Sequence, residues 1–272
     1  YNHAWDKSTS ANSARLETAI ITALEELRDR RFEDVLSLAS GPASFSRMSG
    51  RRTTCVEING FQLAFGEDAT SVMGLDNDYL LGSFTDLSKL VNLSSVRETG
   101  DIASMVFNPN SNPEECQGIT DSSKDLVELT FALYYTIPEE RQKVIVEVNR
   151  TLRTGGYFML VNPTSRFDPN CHANFYSDLE AHGFEIDHQL SGAYTSPNII
   201  TDDQKDKASF QVHCLIARKV SDSDLDKLER EDPYFAMQPQ YKVVEVSSKK
   251  RKKREAKDIS PFKGFICQGF VN

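Results

Sequence analysis

Two stretches of this 272-residue sequence hold residue types that could do chemistry. Ala39-Ser40-Gly41-Pro42-Ala43 follows an apolar run, Val35 to Leu38, and puts four small side chains and a proline after what reads as a buried strand. Small side chains let a backbone approach a bound molecule that bulkier ones would exclude, so this turn is a candidate ligand cradle. The alternative is a strand-to-helix turn kept small for packing. An acid, Glu57, stands near the C-terminal end of the next β-branched run, Thr53 to Ile58. The second stretch, Lys249–Arg254, is six adjacent cations, a local positive field for nucleic-acid phosphates or an import receptor, or the solvated tip of a hairpin. Cys55, Cys116, Cys171, Cys214 and Cys267 are scattered singly, and His182, His188 and His213 show no ligand spacing, so no metal site is assigned.

The elements that must position these residues alternate in type. Ser13 to Arg30 carries Leu16, Ala19, Ile20, Ala23, Leu24 and Leu27 at helical spacing. Strands are expected at Asp34–Leu38, Thr53–Ile58, Tyr79–Gly82, Asp125–Tyr135, Tyr157–Val161, Phe184–Leu190 and Phe210–Ala217. Helices are expected at Ser44–Met48, Phe61–Asn77, Thr85–Val91, after Pro138 up to Gly155-Gly156, and at Ala173–His182. Asn92 to Ser123 breaks the pattern around one apolar island, Ala103–Phe107. Alternation of this kind predicts a parallel sheet covered on both faces, with ligands beyond the carboxyl ends of the strands.

With 39% hydrophobic and 26% charged residues, the chain suits one sizeable globular domain with an appendage. Its net charge of −9 gives it no general attraction for nucleic acid or acidic membranes. No apolar run approaches the roughly 20 residues that span a bilayer, and Tyr1 to Asn12 lacks a signal-peptide core. Unpaired cysteines fit a reducing compartment, so an intracellular, cytoplasmic location is expected, with the nucleus open through the basic run. The sequence opens at Tyr1 rather than Met, which leaves room for an upstream segment.

Further along, Asp125 opens Asp-Leu-Val-Glu-Leu-Thr-Phe-Ala-Leu-Tyr-Tyr, Glu147 opens Glu-Val-Asn-Arg-Thr-Leu-Arg-Thr-Gly-Gly-Tyr-Phe, and Gly183-Phe184 begins another strand. This order resembles the class I S-adenosylmethionine-dependent methyltransferases over roughly Phe32 to Val220. The resemblance implies an α/β fold, a Rossmann-like, mostly parallel seven-stranded sheet with helices on both faces, plus a small C-terminal β-rich extension. It implies S-adenosylmethionine as cofactor. Ser37, Ala39, Ser40, Gly41 and Ala43 then match the loop around the methionine part. Glu57 matches the acid that accepts from two ribose hydroxyls, Ser83 and Phe84 lie beside adenine, and Thr130 and Phe131 flank the transferring methyl. The first motif is degenerate: Ser37 stands where the family has an acid, Ala39 and Ala43 where it has glycines, and Ser83 where an acid often meets adenine, with Asp86 as a substitute. Alanine fits such a turn at negative φ and is strained at positive φ.

The implied reaction is in-line methyl transfer to a small-molecule, protein or RNA acceptor, on oxygen or nitrogen, in a dry pocket. Candidates for a general base are Glu128, Tyr134, Tyr135 and His172. Asn108-Pro109 and Asn162-Pro163 carry only the first half of the motif used for nucleobase amino groups. Acceptor contacts are expected from Tyr1–Asn12 with Trp5, from Asn92–Ser123 and from Ser191–Ala208. The organisation expected is residues 1–30 as an N-terminal segment and substrate lid, 31–220 as the methyltransferase-like domain and 221–272 as the extension. The competing function is a catalytically inactive module of the same fold that serves as a binding or assembly partner. A nicotinamide-dependent oxidoreductase fits less well, because the turn lacks spaced glycines for a pyrophosphate.

Overall fold

The computed structural model describes residues 11–100, 116–133, 136, 138–163, 169–196, 210–223 and 266–268. In chain order the elements are α1 (Ala11–Arg28), β1 (Val35–Leu38), α2 (Ser44–Ser49), β2 (Thr53–Glu57), α3 (Gly60–Val72), β3 (Asp78–Leu81), β4 (Leu90–Asn92), α4 (Leu93–Thr99) and β5 (Cys116–Gln117). They continue with β6 (Lys124–Thr130), α5 (Pro138–Thr151), β7 (Leu152–Pro163), α6 (Pro169–Ala181), β8 (Phe184–Ile186), β9 (Gly192–Ser196), β10 (Phe210–Lys219) and β11 (Ile266–Gln268). Trp5, the island at 103–107, Asn108-Pro109, Tyr134, Tyr135 and the basic run Lys249–Arg254 fall outside the described residues.

All strands join one sheet, ordered β11-β9-β10-β7-β6-β1-β2-β3-β4-β5 with β8 paired to β10. The centre, β7-β6-β1-β2-β3, is parallel. Both flanks are antiparallel. Among the described residues the sheet has eleven strands rather than the seven expected, the extra ones being short flanking pieces with little periodicity to read. The chain runs from β1 outward through β2 and β3, then returns to lay β6 on the other side of β1. Strand order therefore reverses between β1 and β6, the place where sheets of this kind leave a crevice.

Strand alternation sends the residues of the centre into separate cores. Leu36, Leu38, Val127, Leu129, Phe158 and Leu160 pack against Val144, Ile145 and Val148 of α5 and Leu179 of α6. Val35, Leu126, Met159, Val161 and Ile216 pack on the opposite face against Leu16, Ile20, Ile21 and Leu24 of α1. The first described helix is therefore built into the sheet. A third cluster joins Cys55, Tyr79 and Leu81 to Leu63 of α3 and Val96 of α4.

Several local expectations are corrected. Thr85–Val91 is not a helix: the chain turns at Asp86–Lys89 and doubles back as β4, antiparallel to β3. Leu87 and Leu90 are fully buried, and a Cβ on Gly82 would lie 2.3 Å from Leu90 Cδ2, so tertiary packing on a bare glycine decides the path. Nor do Gly155-Gly156 end the preceding helix. α5 stops at Thr151, where buried Lys219 donates from Nζ to the carbonyls of Asn149 (2.7 Å) and Leu152 (2.9 Å). The glycines lie inside β7, where a Cβ on Gly156 would sit 3.0 Å from Asp125 O. Within Asn92–Ser123, α4 and β5 are ordered elements. Strands β6 and β8 stop earlier than expected, at Thr130 and Ile186. β9 falls within Ser191–Ala208, the segment expected to contribute acceptor contacts, where no strand is expected from the sequence.

Candidate functional site

The turn after β1 is built from three consecutive left-handed positions two residues apart: Ala39 (φ 50°), Gly41 (φ 52°) and Ala43 (φ 53°). The backbone thus takes positive φ even where the sequence supplies alanine, a conformation that strains an L side chain. The surroundings hold it there. Ser40 N–H donates to Val56 O (3.0 Å), Ala43 N–H to Ser40 O (3.0 Å), and Gly41 N–H to Glu57 Oε2 (2.9 Å). Behind the turn α3 comes so close that a Cβ on Gly66 would lie 2.8 Å from the Pro42 carbonyl carbon. Asn59 caps that helix, its side chain accepting from the N–H groups of Phe61 and Gln62.

Glu57 closes β2 and is 8% exposed. Its second oxygen, Oε1, accepts from Asn59 N–H at 3.0 Å. Burial pushes its pKa up, and N–H bonds from Asn59, Gly41 and Ile58 act in the other direction. Each oxygen so engaged keeps a lone pair for one further donor, which is the acceptor set a pair of adjacent hydroxyls needs. Beyond β3, Ser83 Oγ lies 2.7 Å from Thr85 Oγ1, and Phe84 packs on the core beside the sheet. Asp86 is bonded to Ser88 (Oγ, 2.5 Å) and paired with Lys89 (3.1 Å); burial opposes its ionisation, and these partners keep its pKa below the ordinary value.

Across the crevice, Ser37 and Glu128 are register partners on β1 and β6. Ser37 Oγ donates to Glu128 Oε1, and Thr130 Oγ1 donates to Oε2 at 3.1 Å. Glu128 is 2% exposed, and burial pushes its pKa up to about 7 against the two hydroxyl bonds. Phe131, next after Thr130, is again left-handed (φ 55°) and donates its N–H to Val161 O at 2.8 Å.

Of the residues singled out from the sequence, the structure places Ser37, Ala39, Ser40, Gly41, Ala43, Glu57, Ser83, Phe84, Glu128, Thr130 and Phe131 at or just below one rim, the carboxyl ends of β1, β2, β3 and β6. Tyr134 lies outside the described residues; His172 falls within α6, with its side chain outside them. Sequence reasoning missed Gly66 as the support of the turn, and the Ser37–Glu128 pair, which only strand register brings together. It also missed a polar group at the end of β7. There Asn162 is the register partner of His213, whose Nε2 lies 3.3 Å from Tyr176 Oη. Burial pushes His213 down to about 4. Asn162 Oδ1 is buried and accepts no hydrogen bond. No group of three or more His, Cys, Asp or Glu among the described residues is arranged to hold a metal ion, and none of the described helices is long and apolar enough to cross a membrane.

Solved structures share this architecture. A SAM-dependent methyltransferase from Leishmania major is 9% identical over 76% of this chain and 72% of that one, with a TM-score of 0.50. A protein solved in work on the conversion of a disulfide bond into a thioacetal group during echinomycin biosynthesis is 13% identical over 78% of this chain and 85% of that one, with a TM-score of 0.51. No family model and no curated protein matches the sequence. At such identities the likeness is one of fold.

Proposed function

We propose that this chain is an S-adenosylmethionine-dependent methyltransferase whose cofactor is held by the turn Ala39–Ala43 and by Glu57. The observation that carries the reading is the turn itself. Three left-handed residues are kept in a strained cradle, with the Gly41 N–H tied to a buried carboxylate that retains acceptor capacity. A turn needed only for packing has no reason to keep Ala39 and Ala43 at positive φ. When bound, the cofactor supplies a methyl group activated on a cationic sulfur. Glu57 would orient it through the ribose hydroxyls, and Ser83 and Phe84 would border adenine. Thr130 and Phe131 would border the reacting methyl. The protein's part is alignment and exclusion of water, so a strong base is needed only for a poorly nucleophilic acceptor.

The acceptor is a small molecule, protein or RNA that offers oxygen or nitrogen, and the basic run Lys249–Arg254 is proposed to contact nucleic acid or an import receptor. A second reading, an inactive module of the same fold that binds partners, draws on the absence of an acid at Ser37 and on the engagement of Asp86 by Ser88 and Lys89.

Calorimetry with S-adenosylhomocysteine separates the readings. Saturable binding that Glu57→Gln weakens at least tenfold, with the fold intact by circular dichroism, is expected. No heat at millimolar ligand rejects the proposal.

A further inference from the structure

We propose that Glu128 is a positioning residue whose buried carboxylate, held between Ser37 and Thr130, favours a cationic sulfonium ligand over its neutral thioether counterpart in the adjoining cradle. The inference rests on the cofactor reading above and assigns a source of charge selectivity within it.

Glu128 ties together the two strand ends that flank the crevice. Its partners are Ser37, two residues before the left-handed Ala39, and Thr130, directly before the left-handed Phe131. Both turns therefore lean on one carboxyl group. None of the Lys, Arg and His residues among the described residues bonds to it: its two hydrogen bonds come from neutral hydroxyls. A buried charge without a counter-charge tends to neutralise, and burial accordingly pushes this acid up to about 7. A cation placed above Ala39 and Phe131 would supply the missing counter-charge and draw the group into its ionised form.

The other ionisable groups on this side of the sheet include Tyr157, Tyr194 and Cys214, buried in the cluster under α1. Cys55, register partner of Ser37 on β2, is a fully buried thiol whose pKa burial pushes far up, so it stays neutral. Glu17 is buried on α1, the helix packed over this face. Arg47 lies on α2, and Glu57 ends β2. Met159 and Ile216, the next register partners outward, do not titrate. Lys124 and Asp125 sit at the far end of β6, bonded to Thr54 and to Arg30 and Arg153.

The test is the ratio of dissociation constants for S-adenosylhomocysteine and S-adenosylmethionine, measured by calorimetry from pH 5.5 to 8.5. The two ligands differ at sulfur by one methyl and one charge, and their own ionisation is common to every variant. The wild-type preference for S-adenosylmethionine is expected to rise several-fold between pH 6 and 8. Glu128→Gln should flatten that rise, while Glu17→Gln should retain it. A flat wild-type ratio, an unchanged rise in Glu128→Gln, or its loss in Glu17→Gln overturns the proposal. If Glu128→Gln does not fold, the wild type still decides. Binding of S-adenosylmethionine at pH 7 in two buffers of different ionisation enthalpy should release a fraction of a proton more than binding of S-adenosylhomocysteine does. Equal release overturns the proposal. If neither ligand binds at all, the cofactor reading falls, and this inference with it.

Discussion

Ala39 and Ala43 show how two chemically identical residues differ by context. Both hold positive φ, which disfavours an L side chain by about 1 kcal/mol or more relative to glycine. Ala39 is partly buried against the core, whereas the methyl of Ala43 is 1% exposed and packed beside α3. Burial of one methyl is worth about 0.8 kcal/mol. Ala39→Gly is therefore expected to stabilise the protein by about 0.5–1 kcal/mol in urea unfolding, and Ala43→Gly to be close to neutral. A loss of stability in Ala39→Gly would mean that the turn is not left-handed in solution.

Elements meet this turn at close quarters, and the contact points are where single changes should spread. Gly66 faces the turn from α3 with no room for a side chain, the nearest backbone atom being 2.8 Å from a Cβ there. Gly66→Ala should cost about 1–3 kcal/mol, although alanine favours an isolated helix, and should weaken S-adenosylhomocysteine binding by displacing Pro42. The same substitution at Gly74, which has nothing within 4 Å, would strain only its own φ of 71° and leave binding unchanged. At the other end of the sheet, Lys219 is 1% exposed and caps α5 through Asn149 O and Leu152 O, with Asp222 at 2.7 Å. Lys219→Met preserves length and apolar bulk but leaves those carbonyls without their donor. A loss of about 1–3 kcal/mol in denaturant unfolding is expected, with ligand affinity intact in the folded protein.

For the whole molecule, buried groups of opposite character set the dependence of stability on pH. Burial pushes Glu128 up to about 7, so the folded state holds a proton that the unfolded state releases near 4.5. Its stabilisation is complete below that value and is lost as pH rises towards 7. Burial pushes His213 down to about 4 and lowers His182 as well. These histidines bind protons in the unfolded state first, so stability falls as pH drops from 6.5 towards 4. The two slopes oppose each other between pH 4.5 and 6.5, and the wild type is expected to be nearly flat there. Glu128→Gln removes one of them. Its stability should climb with pH over the same interval, which urea midpoints at half-unit steps would show; a flat profile in the variant would place the histidines' contribution elsewhere.

The sequence by itself determined the class of fold and the location of the rim. Helical spacing from Leu16 to Leu24, apolar runs at β1, β6 and β7, and small residues at 39–43 are local signals whose physics is complete within a few residues of chain. Glu57 was legible for the same reason, as an acid at the end of a strand. Where local signals were weak or contradicted by packing, reading failed: Leu87 and Leu90 carry helical spacing, yet they bury themselves beside Gly82 as turn and strand. Tertiary structure alone decided that Ala39 and Ala43 stay left-handed, because the turn between them is held by Glu57, 16 positions after Gly41, and by Gly66 of α3 behind Pro42. It alone brought Glu128 beside Ser37, 91 positions apart, since strand register is a property of the assembled sheet. The serine that breaks the loop motif in the sequence is, in the fold, the residue that carries a buried carboxyl to the same place.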